Sequence, residues 1–326
     1  MENNQKQNII SEIPVELAGY KGIKVKKNEA KIEKKEVENS LDYLKKSRAK
    51  TITVNKPAEK GNRVEVDFEV RHGGVKIENG TSKNHPLILG EGRFLPGFEK
   101  ELEEMSAGEE KDFSIKVPTD WPDKRIADKN LDFRVRMNLV QERQIPELND
   151  EFAKSLGRFE SLEALRKNTS DGLLEEKETK EKQRIRIELI EKVAKDSKIE
   201  VPDNLIEEEL ERMINEFKFS ITGFGLDFEK YLQEINKTVD ELKKEWKKQA
   251  EKRVRVAICL KAIAEKEKIE VSDEEAENKI KEELKNYPDI EEARKNIDPE
   301  RFKDYTKEVL RNEKVLGLLE KEAKII

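Results

Sequence analysis

Apolar positions recur along this chain at three different spacings, each predicting a different kind of structure. Over residues 11–27, SEIPVELAGYKGIKVKK, apolar and polar positions alternate around two glycines, which predicts one or two short strands or an extended segment. From Asn28 to about Lys46 the apolar residues Ile32, Val37, Leu41 and Leu44 return every three to five positions, the stripe of an amphipathic helix. Pro57 and Gly61 then break the chain.

Between about 60 and 142 the texture changes. Eight of the fifteen glycines lie here (61, 73, 74, 80, 90, 92, 97 and 108). Arg63 to Val70 alternates with period two, and His72-Gly73-Gly74 follows as a turn signal. Pro86-Leu87-Ile88-Leu89 predicts a short buried strand, and Lys111–Val117 and Leu131–Val140 alternate again. Gly97 to Met105 instead carries Phe98, Leu102 and Met105 at helical spacing. The pattern predicts a small, mostly antiparallel sheet wrapped on one short helix.

Beyond Pro146 glycine is rare and helical periodicity runs to the end of the chain. Pro202 marks a helix start, Gly223 and Gly225 mark a tip between two helices, and Ser272 with Glu275 forms a capping box. Pro288 and Pro299 punctuate the last segments. The expected fold class is α+β, with an N-terminal segment over 1–27, a helix and linker over 28–59 packing on the helical part, the sheet domain over 60–144 and a helical domain over 145–326.

Composition narrows the function. Charged residues make up 42% of the 326, 66 basic against 72 acidic, and apolar residues 35%. With a net charge of only -6 and interspersed signs, this reads as solvated helices with thin apolar seams rather than a disordered chain. No stretch of about 18 apolar residues predicts a membrane span, the opening residues lack a secretory pattern, and the single Cys259 fits a reducing, cytoplasmic setting. Two histidines and one cysteine argue against a metal site, and the acidic balance against specific nucleic-acid binding. Residues 21–36, with seven lysines against three glutamates, predict a solvated face and, secondarily, a weak contact to something acidic.

Familiar catalytic motifs are missing. Gly90-Glu91-Gly92 begins like a phosphate loop, but Gly97 is out of register and no Lys-Ser/Thr follows. What remains is an apolar, aromatic set: Phe68, Ile77, Leu87, Phe94, Leu95, Phe98, Trp121 and Phe133. Leu89-Gly90-Glu91-Gly92-Arg93-Phe94-Leu95-Pro96-Gly97-Phe98-Glu99 closely resembles the FKBP-type prolyl isomerase signature, and Glu103 to Glu109 resembles its helix exit, with element order agreeing over about 80 residues. Ile145 to Lys154, Leu162 to Arg166, Ile199-Glu200-Val201-Pro202 and Ala250 to Val254 resemble the helical part of the bacterial trigger factor family.

That resemblance implies a folding factor that transiently holds unfolded or nascent polypeptides and isomerises Xaa-Pro bonds, without a cofactor. It places Phe98 at the floor of an apolar pocket, Phe94 and Leu95 in its wall with the Leu95 N–H as a donor, and Phe68, Trp121, Phe133 and Ile77 around it. It also implies an elongated, two-armed helical part. Only Val15 to Val25 resembles the family's docking domain, and its Gly-Phe-Arg-type loop has no counterpart, so ribosome binding by the usual route is not expected. Ile77 and His85 stand where the family more often has phenylalanine, Glu78 replaces a shorter acidic position, and Asp67-Phe68-Glu69-Val70 replaces Asp-Phe-Thr-Gly; activity is expected, at a level these departures can lower.

Residues 213–232 hold four of the twelve phenylalanines. They predict a helix–turn–helix seam or, near the glycines, a client-binding surface of Phe219, Ile221, Phe224 and Phe228. Two other readings stay open at this point: a holding chaperone with an inactive isomerase domain, and a helical scaffold that binds no client.

Overall fold

The computed structural model describes residues 13–123, 125–285 and 298–326, with the side chains of Glu78 and Asn79 outside the description; Pro288 also falls outside it. The chain divides into two compact units, one of residues 32–174 and one combining the residues up to 31 with 175–326. No helix among the described residues is long and apolar enough to cross a membrane.

In the first unit, α1 (Lys34–Ser47) starts at a capping box formed by Glu33 and Glu36. It buries Val37 and Leu41 against Phe152, Ala153 and Leu165. These partners lie on α3 (Asp150–Ser155) and the first turns of α4 (Leu162–Asp196), so the helix packs on the segment that follows the sheet. The chain next forms β3 (Lys50–Thr53), which pairs with residues 141–144 and belongs to the sheet, although the sequence pattern leaves it in the linker. All four of its residues are exposed, so no burial stripe announces it.

The sheet runs β3, β7 (Asn130–Gln144), β4 (Arg63–His72), β5 (Val75–Ile88), and β6 (Glu110–Lys116) also pairs with β7; every pairing is antiparallel. Gly73 and Gly74, at φ of 56° and 83°, make the two-residue β4–β5 turn, where two consecutive positive φ values favour glycine. Val64, Val66, Val135 and Met137 point inward and are fully buried, and their polar neighbours face outward. They enclose α2 (Phe98–Glu101), a single helical turn.

Register shifts interrupt β4 between Val66 and Phe68. At this bulge the Asp67 carboxylate accepts the backbone N–H of Asn84 (2.7 Å, φ 49°) and the side-chain amide of Asn138 (2.6 Å). The Asn84 bond is the chief reason the Asp67 carboxyl lies below its ordinary range. Bulges bend a strand and increase its twist, and this one sits beside Phe68.

The second unit is helical: the rest of α4, then α5 (Asp203–Gly223), α6 (Phe228–Glu234), α7 (Val239–Lys266), α8 (Asp273–Leu284) and α9 (Pro299–Glu322). Leu189, Ile258, Ile263, Val315 and Leu319 form its main core. The Arg255 guanidinium donates to the carbonyls of Ala194, Ser197 and Ile199 (3.0–3.2 Å), satisfying groups the end of α4 leaves open.

Residues 13–31 are sewn into this unit. Strand β1 (Val15–Glu16) pairs antiparallel with β8 (Lys198–Ile199), and β2 (Lys24–Val25) pairs parallel with β9 (Lys324–Ile325). The Ala18 N–H donates to the Ser197 hydroxyl (3.0 Å) and the Lys27 N–H to the carbonyl of Ile326 (2.9 Å). Tyr20 is buried in the main core, and its hydroxyl donates to Glu267 Oε1 (2.6 Å), which also pairs with Lys21 (2.9 Å). Burial, then the bond to Glu267, pushes the Tyr20 pKa up to about 12.

Substituting Tyr20→Phe is expected to destabilise the helical unit by about 0.5–1.5 kcal/mol, one hydrogen bond, in urea unfolding. Because the folded-state Tyr20 pKa is raised, the wild-type advantage should be complete below the ordinary tyrosine value. It should fade as the pH climbs toward 12. An equal gap between the two proteins at every pH would contradict the assignment.

Candidate functional site

An apolar cleft opens on the inner side of the sheet beside α2. It encloses about 610 Å³, and its apolar wall is Phe68, Val70, Ile77, Phe94, Leu95, Ile126 and Phe133. Five of the seven pocket residues expected from sequence are thus brought together. Phe68 meets Phe94 edge-on at 5.4 Å, and His85 packs edge-on against both, at 5.4 and 5.7 Å.

Phe98 is not part of this wall. Its ring is fully buried, and Phe94 lies over it at 4.1 Å, with Phe133 at 5.2 Å, Phe113 at 5.7 Å and Phe68 at 6.1 Å. As the first residue of α2, inside the wrapped sheet, it supports the rings that form the floor. Trp121 does not line the cleft either; half-buried, it packs against the same core. His85 is drawn into the cluster across the bulge, and Phe113 by its register opposite Phe133 in the β6–β7 pair. The alternation of 111–117 could have revealed Phe113; His85 is marked in the sequence only through the family resemblance, at a position where phenylalanine is more common.

A second residue that the motif alone does not explain is Glu99. It is buried, and its two carboxylate oxygens accept the backbone N–H groups of Gly90 (2.7 Å), Gly92 (2.9 Å) and Arg93 (2.8 Å). Burial pushes the Glu99 carboxyl up, but the N–H groups of Gly92, Arg93, Gly90 and Phe94 outweigh it and hold the group below the ordinary range. The loop carrying Phe94 and Leu95 is therefore tied to α2. Gly97, at φ 94°, makes the turn between them in a conformation that favours glycine.

On the opposite wall, Gly80 permits a close approach: a Cβ there would lie 3.0 Å from the Ile77 carbonyl oxygen and 3.2 Å from Val70 Cβ. The Leu95 N–H has no acceptor among the described residues. No group of three or more His, Cys, Asp or Glu side chains among the described residues is placed to hold a metal ion.

The helical tip separates into two kinds of residue. Phe219 and Phe224 are each 79% exposed, and Leu226 beside them 51%. Phe228 and Ile221, expected at the same surface, are only 4% and 7% exposed. They form a small core with Ile214, Leu232 and Leu242, against which Phe217, Tyr231 and Trp246 pack. The cause is helical phase. Asp227 caps α6 and turns Phe228 inward, and Ile221 lies one turn beyond Phe217 on the packed face of α5.

Comparison with known proteins agrees with this anatomy. Residues 54–138 match the family model of FKBP-type peptidyl-prolyl cis-trans isomerases, and residues 161–320 that of the bacterial trigger factor protein C-terminus. The trigger factor of Caldicellulosiruptor saccharolyticus is 32% identical over 311 residues, covering 95% of this chain and 71% of that protein. The Staphylococcus saprophyticus trigger factor is 32% identical over 325 residues, 98% of this chain and 73% of its own length. A solved structure from work on promiscuous substrate recognition in folding and assembly by the Trigger Factor chaperone has the same fold, with a TM-score of 0.50 and 24% identity over 94% of this chain and 72% of that one.

The sheet unit is a peptidyl-prolyl isomerase of the FKBP type, carried in one chain with a chaperone's helical unit. The chain belongs to the trigger factor family: it is a protein-folding factor that acts on unfolded or nascent polypeptides and isomerises Xaa-Pro bonds.

Replacing Glu99 by Gln should lower the stability of the sheet unit by about 1–3 kcal/mol, since one amide oxygen cannot serve the N–H groups a charged carboxylate serves. The folded-state pKa is lowered, so the wild-type advantage should be full above the ordinary glutamate value and vanish as the pH falls through the lowered one. Thermal melts of both proteins across acidic pH check this.

Proposed function

We propose that isomerisation takes place in the 610 Å³ cleft, with Phe68, Ile77, Phe94, Leu95 and Phe133 as its working surface. Phe98 and Trp121 then act from behind, holding that surface in place. The barrier to rotating a peptide bond is about 18–20 kcal/mol because rotation breaks amide resonance. A twisted prolyl amide is less delocalised and less polar than the planar form. A dry aromatic wall therefore disfavours the planar form, solvated by water, more than the twisted one, and this differential binding lowers the barrier. The Leu95 N–H is the donor that orients a substrate carbonyl. No nucleophile or metal is required.

The observation that carries this reading is the preformed apolar cleft roofing a buried aromatic stack. Chaperone contact is assigned to Phe219, Phe224 and Leu226, whose exposure fits weak, promiscuous contact with apolar stretches of unfolded chain. The setting is the cytoplasm. The net charge of -6 and the absence among the described residues of a long apolar helix support polypeptides, rather than membranes or nucleic acid, as partners.

Two experiments separate the roles. Phe94→Ala should lower kcat/KM on a proline peptide roughly tenfold or more, equivalent to about 1.4 kcal/mol of lost transition-state binding. Phe98→Ala should act first on stability, by about 3–5 kcal/mol, as a cavity in a packed core. A Phe94→Ala protein with full activity would place catalysis elsewhere.

For the tip, Phe219→Ser with Phe224→Ser should weaken suppression of aggregation of an unfolded test protein while changing stability by no more than about 0.5 kcal/mol per site. Phe228→Ala should instead destabilise by about 3–5 kcal/mol. Undiminished suppression by the double variant would remove the tip from the client surface.

A further inference from the structure

The rim of the isomerase cleft carries a charge imbalance. Lys76, Arg125 and Lys129 line it together with His72, and Asp123 is the single carboxylate among the described lining residues. Arg125 holds Asp123 through a two-pronged pair (2.9–3.3 Å), and Lys76 pairs with Glu69 on the neighbouring strand. Lys129 is exposed, and no carboxylate among the described residues lies within ion-pairing distance of it. Its backbone N–H donates to the carbonyl of Ile126 (3.2 Å), whose side chain forms part of the apolar wall, and Lys129 itself lines the cleft.

We infer that the cleft discriminates among prolyl bonds by charge, favouring those with an aspartate or glutamate next to the proline, and that Lys129 is the residue that reads it. This rests on the cleft being the isomerase site. An acidic neighbour of the bound proline meets an ammonium at the rim that holds no direct ion pair among the described residues. A basic neighbour meets three cations, of which Lys76 and Arg125 are already paired with Glu69 and Asp123, so that Lys129 supplies the surplus charge. Exposed ion pairs are weak, so the preference is modest: about two- to five-fold in kcat/KM for each change of charge. Being a surface effect, it fades as salt shortens the screening length.

The test uses two series of short peptides, one with Glu, Gln or Lys immediately after the proline and one with the same residues immediately before it. The 326-residue chain is assayed beside Lys129→Gln and Lys129→Glu. For wild type at low salt, kcat/KM should fall in the order Glu, Gln, Lys in at least one series, and the spread should collapse near 1 M salt. The ratio of Glu to Lys peptides should shrink in Lys129→Gln and reverse or level in Lys129→Glu. Because the readout is a ratio within each protein, a general loss of activity does not disturb it. Normal turnover of all peptides with no charge order, or an order unchanged by either substitution, overturns the inference and leaves the cleft assignment standing. Background rates of wild type on every peptide overturn the cleft assignment and the inference with it.

Discussion

The apolar cleft depends on a carboxylate that does not line it. Glu99 is buried on a one-turn helix and accepts three backbone N–H groups from the loop of residues 90–93. A buried charge is tolerated only when its hydrogen-bonding capacity is filled, so the loop has little freedom to move while the helix stays in place. The consequence for chemistry lies two residues on: Phe94 and Leu95 are set as a wall, with Phe94 resting 4.1 Å over Phe98. The isomerisation proposed for this cleft works by shape and dryness, without a nucleophile. It would need this rigidity more than a nucleophilic reaction does, since its advantage is a difference in fit between planar and twisted amides.

The two units treat aromatic side chains in opposite ways for one physical reason. In the sheet unit, rings at 4.1–6.1 Å from one another lose their water and define a fixed hollow. At the helical tip, Phe219 and Phe224 keep most of their surface in water. Burial of such rings is favourable at about 25 cal/mol per Å², so exposed ones retain that drive for a partner's apolar residues. A chain in which 42% of residues are charged can carry them without coalescing. Phe228, four residues past Phe224, belongs to the opposite regime because Asp227 starts a new helix and resets the direction of the side chains.

Much of this was readable from the residues alone. Alternation located β4, β6 and β7, the Gly73-Gly74 pair located the hairpin turn, and Ser272 with Glu275 located the start of α8. The short signature from Leu89 to Glu99 identified the wall residues Phe94 and Leu95. What stayed hidden depended on long-range pairing. Strand β3 has four exposed residues and is a strand only because residues 141–144 lie beside it. His85 reaches the aromatic cluster because a bulge shifts the register. Phe98 was legible as important, yet sequence cannot say whether an aromatic ring forms a surface or supports one. Ile221 and Phe228 failed likewise: closeness to a glycine tip does not determine which way a side chain faces.

The N-terminal stretch shows how backbone pairing can matter more than composition. Residues 13–31 include a lysine-rich run that looks suited to solvent, yet both of their short strands are paired, one with β8 and one with β9. Two-residue strands have little stability of their own. What holds them is the burial of Tyr20 and Val25 in the helical core, at 5% and 1% exposure, with backbone hydrogen bonds fixing the register around those anchors. Cations of α4 bond the backbone of the run: the Lys192 ammonium donates to the Lys24 carbonyl (2.9 Å), and the Arg184 guanidinium to that of Lys26 (2.5 Å). Positive charge along this run is thus partly a by-product of a strand whose apolar positions face the core. Those bonds occupy carbonyls of the run rather than its lysine side chains; of the run's lysines, Lys21 pairs with Glu267 of the helical unit (2.9 Å).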